Sequence, residues 1–183
     1  MSRLAIWALG VLMMAGIVHI VTVFGVPRHA VRDPWEEIGR FGPVGGFVTL
    51  PASGPEGTAL PGLDPAMRHA VCRFVLDGGP IRIKAAPPDA YWSLSLWDRR
   101  GLHVWGLDNR GAGQRAADIL IADDVHVAQL RENPPEELED VTIVDWKGRE
   151  GIAILQIFRR QPSLEPEIAA ALKAAECRSA PLS

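Results

Sequence analysis

Clustered positive charge is missing from this chain. Its 19 basic residues are scattered, against 22 acidic ones, and the formal net charge is −3, so no basic stripe of a nucleic-acid binder is present; the acidic stretch Glu136–Asp140 reads as a solvated loop. No polybasic run offers a clamp for anionic lipid either. Only two cysteines occur, Cys72 and Cys177, with neither a CxxC pair nor the Cys/His spacing of a zinc site. The catalytic signatures are absent as well: no Gly-rich phosphate loop, no GxGxxG after a strand, no GxSxG elbow and no HExxH. No internal repeat or low-complexity tract appears. The sequence therefore assigns no catalytic residue, no metal and no cofactor.

What the chain does have is a long apolar run near its start. Leu4 to Val26 contains no Lys, Arg, Asp or Glu, and at ~1.5 Å per residue it can span a hydrocarbon core of about 30 Å. The run ends in Phe24-Gly25-Val26-Pro27-Arg28, without the small-x-small site of a cleaved secretory signal. The expectation is an uncleaved single-pass anchor in a lipid bilayer. His19 and Thr22 are its notable polar residues. Gly10 and Gly16 lack GxxxG spacing, so close helix pairing through small residues has no support. The expected organisation is a transmembrane anchor over 1–27, then a juxtamembrane helix and Gly/Pro-rich connector over 28–62. A β-rich domain follows over 63–162, and a C-terminal helix and tail over 163–183 pack on it. Arg3 on one side against Arg28, Arg32 and Arg40 on the other slightly favours a cytosolic domain. The cysteines are either two unrelated buried thiols or a disulfide tying the tail to a core strand. A disulfide requires an oxidising compartment, and the orientation is taken from that second alternative.

Asp33-Pro34-Trp35-Glu36 has the signs of a helix start, with Asp33 as cap and Pro34 at the first helical position. Trp35 suits either a headgroup-level anchor or packing on the domain. Strand signals then recur at short intervals. Cys72, Phe74 and Leu76 share a face; Ile81, Ile83 and Ala85 alternate with Arg82 and Lys84; Trp92, Leu94 and Leu96 alternate with Ser93, Ser95 and Trp97. Asp98-Arg99-Arg100-Gly101 is a hairpin turn. A two-residue loop there places His103, Trp105 and Leu107 on the Trp92 face, whereas a three-residue loop groups Trp105 with Trp97. Burial favours the first. Asp118–Ala122 is a further strand, followed by a helical turn that Asp123 or Asp124 caps and Asn133-Pro134-Pro135 stops. Val141–Trp146 and Gly151–Phe158 read as a second hairpin. Ser163 is expected to cap a last helix with a Leu164, Ile168, Leu172 stripe, and Cys177 follows at its end. Seven or eight short strands, joined mostly by hairpins, predict a mainly β fold: an antiparallel sandwich or partly open barrel with flanking short helices.

Chemistry is thinly signalled within that frame. Ser93 and Ser95 are ordinary strand polars. His69, His103 and His126 match no metal-ligand spacing, though with Asp123 or Asp124 they are the residues that could converge on one. The polar groups at the two ends of the first hairpin are either solvated turns or a rim for a ligand or partner. The candidate rim residues are Trp97, Asp98, Trp105, Asn109 and Arg110, with the tryptophans as an apolar wall.

Tyr91-Trp92-Ser93-Leu94-Ser95-Leu96-Trp97-Asp98, followed by Asp108-Asn109-Arg110-Gly111-Ala112-Gly113, resembles the core motif of domain-of-unknown-function family 1254. With Ala70-Val71-Cys72-Arg73-Phe74 and the late cysteine, the layout is similar to its short, membrane-anchored alphaproteobacterial members over roughly residues 60–178. The resemblance implies a sandwich-like fold and a bacterial inner-membrane protein, and the disulfide alternative then puts the domain in the periplasm. It also implies a heteromeric partner such as a family 1214 relative, and no established reaction. The expected function is a non-enzymatic envelope accessory or interaction protein, the alternative a small-ligand module using the mouth of the sandwich.

Overall fold

The computed structural model describes residues 2–30, 33–52, 60, 63–113, 116–132 and 135–180. Two compact units are present, Met1–Arg32 and Asp33–Ser183. The first is one helix, α1 (Arg3–Ala30). Its stretch Arg3–Gly25, 23 residues, is long and apolar enough to cross a membrane. Thr22 satisfies its hydroxyl inside the helix by donating to the Val18 carbonyl at 2.8 Å.

The second unit is two sheets packed face to face. β1 (Val48–Thr49), β2 (Met67–Val75), β8 (Glu150–Phe158), β4 (Trp92–Asp98) and β5 (His103–Asp108) lie side by side in that order in the first sheet. β7 (Thr142–Asp145), β6 (Ala117–Ala122), β3 (Ile81–Ala85) and β9 (Glu176–Ser179) form the second. All pairings are antiparallel except β6 with β7. The expected mainly β, sandwich-like class is what the chain adopts.

The period-2 pattern explains which faces meet. Phe74, Leu94, Leu96, Leu155 and Ile157 from the first sheet interlock with Ile83, Ile119 and Ile121 from the second. Helix α4 (Glu165–Ala174) adds Ile168 and Leu172, the stripe seen in the sequence. The Cys72–Cys177 disulfide runs through this interior from β2 to β9, with its Cα atoms 6.5 Å apart. On the other face of the first sheet a smaller cluster gathers Trp35, Ile38, Leu50, Val71 and Ile152. It is placed by α2 (Pro34–Gly39), whose cap is Asp33: Oδ1 accepts from the Trp35 N–H at 3.0 Å. Trp35 thus packs on the domain. The Arg73 guanidinium sits 5.0 Å from the centre of the Trp35 ring and donates to the carbonyls of Trp35 and Gly42.

Three expectations are corrected. Val141–Trp146 and Gly151–Phe158 are not a hairpin, since β7 joins the second sheet beside β6 and β8 is central in the first, between β2 and β4. β8 pairs along its length with β2 on one edge and β4 on the other, so no edge is left for β7, which pairs with β6 instead. Ser163 caps nothing: Pro162–Leu164 is a 3₁₀ turn, Leu164 occupies the cap position of α4, and no side chain caps it. Cys177 lies not at the end of the last helix but on a ninth strand, β9, because the chain returns to β3 after Ala175. The connections are therefore mostly crossings between sheets rather than hairpins. Asn133 and Pro134 of the expected helix stop lie outside the described residues.

Candidate functional site

The hairpin β4–β5 builds one side of a hollow on the outer face of the first sheet, by a route the sequence did not show. Gly101, at φ 81°, closes a three-residue loop, with the Asp98 N–H donating to the Leu102 carbonyl. Asp98 Oδ1 ties the turn by accepting from the Arg100 and Leu102 N–H groups. Alone, that loop would put Trp105 on the Trp97 face. A bulge follows: Trp97 pairs with His103 but Leu96 pairs with Trp105, leaving Val104 unmatched. The extra residue restores the face, so Trp105 and Leu107 pack against the core as expected. His103, lying before the bulge, does not join them. Its ring meets Trp97 edge-on, with centroids 5.1 Å apart.

On this outer face a polar row crosses four strands in register: His69 on β2, Gln156 on β8, Ser93 on β4 and Asp108 on β5. His69 is buried and lies opposite Gln156 in register. Desolvation holds its pKa below the ordinary 6.5; the nearby Arg68 charge lowers it further, while Asp64 and Gln156 oppose. Gln156 Nε2 donates to Ser93 Oγ at 2.8 Å. In the next row Trp97 Nε1 donates to Ser95 Oγ at 2.8 Å, and Ser95 Oγ in turn donates to the Ile154 carbonyl. Gly106, opposite Ser95, leaves the middle of the face open; a Cβ there would come within 3.1 Å of His103 Nε2. The result is a hollow of about 490 Å³ floored by Ser93, Ser95 and Gln156 and walled by Trp97, His103 and Asp108. That volume falls within the roughly 300–1,000 Å³ of small-ligand sites. Asp108 keeps Oδ1 on the Gly111 N–H at 2.7 Å.

The five residues expected to share one rim are not brought together. Trp97 borders the hollow on the outer face, while Trp105 turns inward to the core. Asp98 lies in the turn at one end of the hairpin, and Asn109 and Arg110 lie at the other. Asn109 lines a separate hollow of about 390 Å³ with Trp92 and Pro87. Its buried Oδ1 has no partner among the described residues. Ser93, Gln156 and Gly106 were missed as site residues. The available signal was the recurrence of small polar residues on one face of strands that are apolar on the other.

A larger hollow, about 680 Å³, lies between the loops at Asp77–Pro80 and Gly148–Arg149 and the start of α3 (Asp124–Glu132). Its charged groups satisfy one another. Asp77 pairs with Arg149, and Asp123 Oδ1 accepts from the His126 N–H at 2.9 Å and lies 2.6 Å from His126 Nδ1. These bonds, the backbone one foremost, hold the Asp123 carboxyl below its usual range. His126 is thus separate from His69 and His103. Among the described residues no group of three or more His, Cys, Asp or Glu side chains could hold a metal ion.

No family model matches the chain, and no curated protein matches it. Among solved structures, the VPA0106 protein of Vibrio parahaemolyticus is similar with a TM-score of 0.59 at 12% identity, over 78% of this chain and 32% of that one. An uncharacterised protein from Burkholderia cenocepacia gives 0.43 at 13% identity, over 71% of this chain and 33% of that one. The chain thus spans about a third of the length of either structure. Shared with the Vibrio protein at this identity is a fold, and the fold alone.

Proposed function

We propose that this chain is a single-pass membrane protein whose β-sandwich stands in an oxidising compartment, the periplasm of a bacterial envelope, as a non-enzymatic accessory. It works by contact with another membrane protein, for which the resemblance to family 1254 points to a family 1214 relative. The observation that carries the compartment is the disulfide, which joins β2 to the edge strand β9 through two buried cysteines 105 residues apart in sequence. The apolar helix Arg3–Gly25 supports retention in the bilayer by length and composition. Alkaline carbonate extraction and thiol labelling of native membranes test both parts. The expected result is a pelleted protein whose cysteines react with maleimide only after reduction. A soluble product beginning beyond Val26, or free thiols, refutes it. For the partner, recovery as a lone monomer from mild detergent refutes the heteromeric contact.

A second role, binding of a small ligand, is favoured by one feature: the hydrogen-bonded polar floor beneath Trp97, left open by Gly106. A titration in which no small molecule perturbs the Trp97 indole resonance removes that role.

A further inference from the structure

We infer that the hollow on the outer face of the first sheet is a saccharide site, an inference that rests on the ligand-binding role just given. It takes a neutral sugar, with the Trp97 indole as platform for one pyranose ring and Ser93, Gln156 and Asp108 as partners of its hydroxyl groups.

Four observations lead there. A pyranose presents an apolar C–H face and a rim of hydroxyls that both donate and accept. It therefore needs an aromatic plane beside groups of mixed hydrogen-bonding character. Trp97 is half-buried on a face whose neighbouring rows are Ser93, Ser95, Gln156 and Asp108, and hydroxyls, an amide and a carboxylate offer that mixture. Charge comes second. Among the described residues lining the hollow there is one carboxylate and no Lys or Arg. A phosphate or carboxylate ligand would find no Lys or Arg and would face the Asp108 carboxylate, whereas carboxylates are good acceptors for sugar hydroxyls.

Pre-organisation is the third. Trp97 Nε1 is tied to Ser95, His103 abuts its ring edge-on rather than stacked, and Gln156 is held by its bond to Ser93. Little side-chain freedom remains to be lost on binding. Last, the space itself depends on Gly106, the position on β5 where any side chain would project into the hollow.

Gly106 also supplies the clean test. Valine suits an edge strand, and the atom a Cβ would crowd is the tip of an exposed histidine, so Gly106→Val fills the hollow while leaving the floor and fold intact. The full chain is held in lipid nanodiscs, free of glycoside detergent. Cellobiose, maltose and N,N′-diacetylchitobiose are titrated by calorimetry, with saturation-transfer NMR to confirm contact. At least one of these sugars is expected to bind the wild-type chain. Trp97→Ala and Gly106→Val should each weaken that binding by about tenfold or more, with the thermal midpoint of Gly106→Val unchanged. If Trp97→Ala unfolds, Gly106→Val decides alone. Binding that survives Gly106→Val places the sugar elsewhere and overturns the inference. If tetramethylammonium binds and no sugar does, the saccharide assignment fails while the ligand-binding role stands. If neither binds, both fail. None of these results bears on membrane retention, which carbonate extraction decides separately.

Discussion

Replacing Cys72 and Cys177 together by alanine should lower the stability of the domain by several kcal/mol. The bond closes a loop of 105 residues. In the chain-entropy model a loop of that order stabilises by about 4.7 kcal/mol, through the conformations it denies the unfolded chain. Both residues are buried, Cys72 completely, so two lost sulfur atoms also leave space in a close-packed interior, which adds to the cost. For a domain of this size each kcal/mol moves the midpoint by ~2–4 °C, giving a fall of roughly 10–19 °C. Thermal unfolding followed by circular dichroism measures it on oxidised wild type, reduced wild type and the double alanine variant. Both the reduced and the alanine forms should fall, the alanine form further because it also carries the cavity, and reductant should leave the alanine variant where it is. A drop under about 3 °C, or an equal effect of reductant on the variant, would show that the cross-link does not act as described.

Gly151 faces the interior, where a Cβ would lie 2.3 Å from Phe74 Cζ and 2.5 Å from Trp146 Cζ2. Gly151→Ala should cost about 1–3 kcal/mol through overpacking, read as a lower urea midpoint at unchanged slope. Asp33→Ala removes the cap of α2 and should cost ~1 kcal/mol; quenching of Trp35 by acrylamide should rise as the helix loosens from the sheet. His69 is held below its ordinary pKa of 6.5, chiefly by desolvation. The unfolded chain therefore binds the proton more readily, so its contribution is complete above pH 6.5 and is lost as pH falls below it, by up to ~1.4 kcal/mol per unit. The lowered carboxyls of Asp77, Asp123 and Glu165 act only at more acidic pH. Urea unfolding between pH 7.5 and 5 should show this slope, and His69→Gln should flatten it.

Local patterns carried much of the fold. Alternation along Ile81–Ala85 and Trp92–Asp98 gave the strands and their buried faces, and Asp33-Pro34 gave the start of α2. What escaped depends on partners distant in sequence. β6 and β8 are buried on both faces, so their composition says that each is central without saying in which sheet. Hence β7–β8 looked like a hairpin. β9 is four residues long, Glu176-Cys177-Arg178-Ser179, and has too few apolar positions to reveal a strand before β3 is there to pair with it. The bulge at Val104 cannot be inferred from loop length, since the loop and the bulge shift the register in succession and their effects on facing cancel beyond it. The polar floor was invisible for the same reason: His69, Gln156, Ser93 and Asp108 come from four strands, and only their register places them in one row.

The sulfur link between β2 and β9 encircles most of the sandwich, from the first long strand to the last. A backbone cut between those two cysteines, for example at the exposed glycines of the Gly111–Gly113 turn, releases nothing. Both pieces stay covalently joined, with their strands still interleaved. The nicked domain would migrate as a single band until reducing agent was added. A protease could therefore clip the surface without shedding the fold.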